Sequence, residues 1–243
     1  MKLLPYKFSR FLLISSLFLV SSVTFAVDLI VPTFKANYKL SHNNIEIGRV
    51  ELSVKALPDN QYQLTSITHT SGLLAFVRDD DVIEKSRFEV ATKALRPLAY
   101  QYKQTLGDNQ KDIRLTFNWQ HNTLVNSTKG IDWTLNIKEG VLDKALMQIA
   151  LMLDLENPSP NLIYDIADGG KLKRYVFTPL GTETINIAGK SYETVKLARK
   201  KDDKPLITYY WCAKSLHNIP VLLQREKPYG TFEMRLINVK FSD

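Results

Sequence analysis

The sequence predicts a mainly β protein: a curved antiparallel sheet or incomplete β-barrel enclosing one buried α-helix at about residues 141–155. Three observations carry that expectation. Apolar and polar side chains alternate with period two over much of the chain, turn-forming runs recur between these stretches, and one segment alone has helical spacing.

The alternation is clear in three places. Phe34, Ala36, Tyr38 and Leu40 fall on one side, with Lys35, Asn37, Lys39 and Ser41 on the other. Ile113, Leu115, Phe117 and Trp119 do the same, as do Ile131, Trp133, Leu135 and Ile137. Successive strand side chains point to opposite faces, so each run predicts one wet and one buried face. One-sided burial favours antiparallel pairing, because parallel sheets are covered on both faces. Between Ile45 and Ala56 the apolar phase shifts by one residue at Gly48, which predicts a bulge that curves the sheet.

Turn chemistry bounds these runs. "SHNN" (41–44), "PDNQ" (58–61), "RDDD" (78–81), "GDNQ" (107–110), "QHNT" (120–123), "DGG" (168–170) and "AGK" (188–190) are rich in Asn, Asp and Gly. "ARKKDDK" (198–204), the densest basic stretch, reads as a solvated hairpin loop.

The helical exception is "VLDKALMQIALMLDLEN" (141–157). Leu142, Ala145, Leu146, Ile149 and Leu153 share one face. Met147, Ala150 and Leu151 widen that face, so the helix is expected inside the protein. "NPSP" (157–160) ends it.

The N-terminus predicts export. Lys2, Lys7 and Arg10 precede an apolar run from Phe11 to Val20, and small residues follow as far as Ala26. That is the layout of a signal peptide over residues 1–26. The run is shorter than the ~20 residues a spanning helix needs. A single β-rich domain is expected over residues 27–243, located in the bacterial periplasm, with no transmembrane segment after cleavage. The formal charge of +7 includes three signal-peptide cations, which leaves 29 basic against 25 acidic residues. So mild an excess gives no reason to expect a nucleic-acid partner.

Candidate chemistry is sparse. Cys212 is the only cysteine, so no intramolecular disulfide can form. With His217 five residues on, it suggests a Cys/His hydrolase. A nucleophilic thiol needs a lowered pKa and a directed base. On a strand, Cys212 shares a face with Thr208 and Tyr210, while Tyr209 and Trp211 take the other, and apolar surroundings make a thiol inert. The acidic runs Asp79–Asp80–Asp81–Glu84 and Asp165–Asp168 lack the ligand spacing of a calcium loop. No histidine pair has zinc-site spacing. Neither metal nor cofactor is expected, and no catalytic residue is assigned.

A family pattern lies in the C-terminal half. Gly181 and Glu183 are followed by an isoleucine, turn glycine Gly189 and "YETVKLAR" (192–199). Trp211 then precedes Pro220–Val221, and a closing strand bears Gly230 and Leu236. This resembles the C-terminal half of the bacterial exported family known as domain of unknown function 3108. "ANYKLSHNNIEIGRVELSV" (36–54), "YQLTSITHTSGL" (62–73) and "KSRFEVATKALRPLAYQY" (85–102) resemble its N-terminal half. The family pattern often has an acidic residue shortly after the tryptophan, where this chain has Lys214. The resemblance implies a bacterial envelope location and a β-rich fold, and it brings no reaction.

The leading expectation is a non-enzymatic binding or carrier protein for an apolar ligand, either an acyl chain or an extended peptide. Trp133, Leu146, Met147, Met152 and Trp211 are the candidate ligand-lining residues. The alternative is an envelope scaffold that binds a partner protein through edge strands; a place at the membrane periphery is compatible with either reading. The third is the Cys212 hydrolase.

Overall fold

The computed structural model describes residues 29–71, 81–91, 94–106, 109–157, 160–200 and 207–242. The expected signal peptide (1–26), Asp79, Asp80 and the "KDDK" of the basic loop lie outside the described residues.

Eight strands follow in chain order: β1 (Thr33–His42), β2 (Ile45–Leu57), β3 (Gln61–Thr70), β4 (Asp81–Ala91), β5 (Ala94–Leu106), β6 (Asn109–Asn118), β7 (Thr123–Thr128) and β8 (Ile131–Asn136). Each pairs antiparallel with the next. The short β9 (Leu142–Asp143) and helix α1 (Leu146–Asp154) come next. The chain then returns through β10 (Ile163–Asp168), β11 (Lys171–Ile187), β12 (Lys190–Lys200), β13 (Ile207–Ala213), β14 (Ile219–Lys227) and β15 (Gly230–Ser242). Finally β15 pairs antiparallel with β1, Thr33 lying opposite Ser242. Among the described residues all fifteen strands form one sheet, with β8 at one edge and β9 at the other.

Curvature has local causes. The register slips between Leu40 and Ser41, whose partners on β2 are Gly48 and Glu46, so Ile47 is the extra residue. That is the bulge expected at Gly48. Gly48 also faces the main chain: a Cβ there would lie 2.8 Å from the His69 carbonyl oxygen. Further slips occur in β1–β15, β4–β5, β11–β12 and β13–β14. The 17-residue β11 pairs with β10 along Lys171–Val176 and with β12 beyond, carrying the sheet round a corner.

Among the described residues no ladder joins the edge strands β8 and β9. Trp133 on β8 donates from Nε1 to the Gly170 carbonyl in the β10–β11 turn at 3.2 Å. The result is an unclosed, barrel-like sheet fastened by a side chain.

The concave face holds the core. Phe34, Tyr38, Leu64, Phe88, Leu124 and Leu197 are almost fully buried there, against Leu146, Ile149, Leu151 and Met152 of α1. Each such side chain stabilises the fold by ~1.5–3 kcal/mol through removal from water. The outer face keeps the polar half of the alternation, as in the Lys35–Glu51 pair at 2.8 Å.

The helix is shorter than the 141–155 that its spacing predicts. Leu142 and Asp143 instead pair in parallel with Ile166 and Ala167. Asp143 sets the boundary. Its Oδ1 accepts from the backbone N–H groups of Ala145 and Leu146, both at 2.9 Å. A side chain satisfying the second and third N–H groups beyond itself starts a helix. At the other end, Asn218 donates from Nδ2 to the Met152 carbonyl at 3.1 Å and to Glu156 Oε1 at 2.7 Å. These contacts tie the helix to the β13–β14 connection.

Candidate functional site

Between one side of α1 and the sheet lies a cavity of about 160 Å³. Leu52, Leu64, Met147, Leu151 and Leu223 form its apolar wall. These residues come from β2, β3, α1 and β14, so the helix roofs a space floored by both halves of the sheet. A second cavity of about 230 Å³ abuts it, sharing Leu223 and Arg225 and continuing over Leu40, Phe232 and Met234. Register explains the continuity: Leu40 lies opposite Met234, Met234 opposite Leu223, and Leu223 opposite Tyr210. One apolar row therefore crosses four strands.

Polar groups gather at one end of the first cavity. Glu84 Oε1 accepts from Tyr100 Oη at 2.5 Å and pairs with Lys144 Nζ at 3.1 Å. Burial, reinforced by the Glu84 charge, raises the Tyr100 phenol well above its ordinary range, which keeps it a donor. The Arg199 guanidinium lies 4.3 Å over the Tyr175 ring. Tyr175 in turn donates to Asp168 Oδ2 at 3.0 Å, which also receives Lys173 Nζ at 2.6 Å. Burial pushes the Asp168 carboxyl up, but these two donors outweigh it and hold the carboxyl below its usual range.

Beneath this end lies Asp143, fully buried, with Ser86 Oγ donating to its Oδ2 at 2.6 Å. Burial pushes its carboxyl up to about 7, against the hydrogen bonds that pull it down.

The sequence-derived candidates separate. Met147 lines the cavity. Leu146 and Met152, from the same helix, point into the close-packed core. Trp133 sits at the sheet seam. Trp211 is buried on the face of β13 opposite Tyr210, donating to Glu183 Oε2 at 2.7 Å with Lys196 Nζ 4.8 Å from its ring.

The Cys212 hydrolase reading does not survive its placement. The sulfur is fully buried and burial alone pushes its thiol up to about 12. His217 adopts a left-handed conformation at the end of a 3-10 turn and packs its ring on Phe241, centroids 4.9 Å apart. Native protein at pH 8 is expected to resist a maleimide, with Cys212 labelled only at the rate of global unfolding. Mass spectrometry of timed quenches reads this directly, and rapid stoichiometric labelling of the folded protein would contradict it.

The acidic runs also disperse. Asp81 Oδ1 meets His69 Nδ1 at 2.6 Å, Glu84 faces the cavity, and Asp165 pairs with Arg174 at 3.1 Å. Among the described residues no three His, Cys, Asp or Glu side chains converge for a metal. No described helix is long and apolar enough to cross a membrane.

Sequence reasoning missed Arg199 and Gln148. Arg199 belongs to β12, not to a solvated loop, and shares parity with Val195 and Leu197, so it points inward. An arginine at an inward position, and one glutamine inside an apolar helix, were the signals.

The comparisons agree with this architecture. A crystal structure of a β-barrel-like protein of domain of unknown function DUF1849 from Brucella abortus is similar, with a TM-score of 0.63 over 90% of this chain and 100% of that one, at 13% identity. That identity level supports the fold alone. No curated protein matches the chain. The family model described as Protein of unknown function (DUF3108) matches residues 33–237. Across nearly all of the sheet, from β1 into β15, this chain therefore belongs to the DUF3108 family.

Proposed function

We propose that this is an exported periplasmic protein that binds and carries an apolar chain, and that it performs no chemistry on it. The observation that supports the reading is the apolar-walled cavity under α1, continuous with a second one along the concave face. Concave, mostly apolar spaces with a few convergent polar groups suit such ligands. Met147 supplies a pliable wall that adapts to chains of different shape.

Ala145 gives the means to test it. Its small side chain lines the cavity just before α1. Ala145→Phe would fill the space from the helix side. Native mass spectrometry of protein purified from its own host, followed by lipid extraction, is expected to find a co-purifying acyl species in the wild type. The species should drop at least tenfold in Ala145→Phe protein that still folds. A clean apo mass for gently handled wild-type protein would remove the carrier reading.

That outcome would favour the scaffold. One observation supports it independently: Ile163 and Val176, cross-strand neighbours on β10 and β11, are both exposed, as is Leu172 nearby. Such a patch beside a sheet edge suits strand addition by a partner protein.

A further inference from the structure

We infer that the cavity under α1 takes a single-chain amphiphile with an anionic oxygen head, the head seated between Gln148 and Arg199 and the aliphatic chain running over Leu223 toward Leu40 and Met234. This rests on the carrier reading and adds the chemical class of the ligand.

Two donors define the head position. Arg199 Nε and Gln148 Nε2 are both buried atoms without a hydrogen-bond partner, and both residues line this one cavity. Buried donors are nearly always satisfied, so two orphans on residues that line one cavity point to a missing acceptor. They come from different elements, β12 and α1. Tyr175 holds the Arg199 guanidinium by stacking on it, an arrangement that fixes the plane of the fork without using its donors.

Charge decides what the acceptor is. The cavity is lined by Lys144, Arg199 and Arg225 against one carboxylate, Glu84. Glu84 is already engaged by Lys144 and Tyr100. Arg225 donates from Nε to the neutral Thr208 hydroxyl at 3.1 Å. Among the described residues, Arg199 and Arg225 therefore line the space without a carboxylate partner. A neutral carbonyl would satisfy the donors but leave that charge uncompensated. A carboxylate or phosphate oxygen meets both needs, and guanidinium binds either in a paired geometry.

The tail direction follows from Arg225 and Leu223. Both residues line both cavities, so the cationic end opens onto the apolar row Leu223, Met234 and Leu40. Gln224, Lys227 and Glu233 also line the second cavity, but they are tied to one another, to Arg235 and to Tyr229. Uncompensated charge at one end and an apolar row leading away describe one amphiphile rather than two ligands.

Isothermal titration calorimetry with decanoate, decyl phosphate and 1-decanol, all below micellar concentrations, separates head from tail. Inorganic phosphate supplies the head alone. Wild-type protein is expected to bind decanoate and decyl phosphate at least tenfold more tightly than decanol, and inorganic phosphate far more weakly than decyl phosphate. Arg199→Gln should remove that tenfold preference while leaving decanol affinity unchanged. Gln148→Met, which deletes an unpartnered donor and keeps the side-chain length, should fold normally and weaken both anions several-fold.

Equal affinity for decanoate and decanol in the wild type would overturn the head assignment and leave the carrier reading standing. So would a loss of all three ligands together in folded Arg199→Gln. Inorganic phosphate binding as tightly as decyl phosphate would overturn the tail. Failure of every aliphatic probe would overturn the carrier reading itself.

Discussion

Asp143→Asn is expected to make the protein more stable than wild type at pH 8 and equally stable near pH 4. Asp143 is fully buried, and burial holds its carboxyl at about 7 against an ordinary value of 3.8. Its folded pKa is thus raised, so folding takes up a proton between these values. The stability that Asp143 contributes is fully present below about pH 4 and is lost as pH rises toward 7. At about 1.4 kcal/mol per pKa unit the loss is on the order of a few kcal/mol. An asparagine copies the protonated acid: Oδ1 accepts from Ala145 and Leu146, and Nδ2 donates to Ser86 Oγ once that hydroxyl, which donates to Oδ2 in the wild type, turns to accept. Urea titrations of both proteins across pH 4–8 give the difference, in which the other titrating groups cancel. Asp143→Ala tests the same residue from the other side. It leaves two backbone N–H groups and the Ser86 hydroxyl unpaired, for a loss of about 3 kcal/mol near pH 4 that shrinks as pH rises and the wild-type carboxyl ionises. Wild type gaining on Asp143→Asn as pH rises would show the carboxylate form to be the native one.

Gly170→Ala is expected to cost on the order of 3 kcal/mol, and Gly169→Ala roughly half of that. Both glycines are left-handed, with φ of 77° and 64°. A side chain in that region costs ~1–2 kcal/mol at either position. Only Gly170 adds a collision, since a Cβ there would lie 2.3 Å from Trp133 Cζ2, whereas at Gly169 the nearest atom is Lys173 Nζ at 3.5 Å, an ordinary contact. The pair therefore separates backbone strain from the packing of the seam. In a chain this size, 3 kcal/mol lowers Tm by roughly 10 °C. Thermal unfolding followed by tryptophan fluorescence measures the shift and shows whether Trp133 has moved into water. Equal losses at the two glycines would mean that the seam adds nothing to stability.

Much of the fold is written in local pattern. The period-two runs became β1, β6 and β8, and the turn chemistry landed where the backbone needs it. Asn43, Asn44, Asp59, Asn60, Asn122 and Ala188 all take positive φ. What the sequence does not display is partnership. Alternation assigns a face to each residue of a strand and says nothing about which strand lies beside it, so the β1–β15 pairing and the Trp133–Gly170 seam were not legible. The helix boundary was hidden for a related reason. Leu142 fits both a helical stripe and a strand, and only the capping role of Asp143, a three-dimensional fact, separates them. Met147 was found because apolar residues on a buried helix are easy to nominate. Arg199 was not, because a basic run near a turn reads as solvent-facing until its strand parity is counted.

The pairing of β1 with β15 sets an order on how the sheet can be completed. Synthesis delivers β1 first and β15 last, yet these strands are the joint between the two halves. Until β15 arrives, β2 covers one side of β1 and the other side offers a row of unpaired amides and carbonyls. That open template sits at the centre of the future sheet, and it is competent to capture a strand from another copy. Such long-range closure is slow relative to hairpin formation. The period of greatest hazard for this chain therefore comes when fourteen strands can already be paired and the seam that unites them is still one strand short.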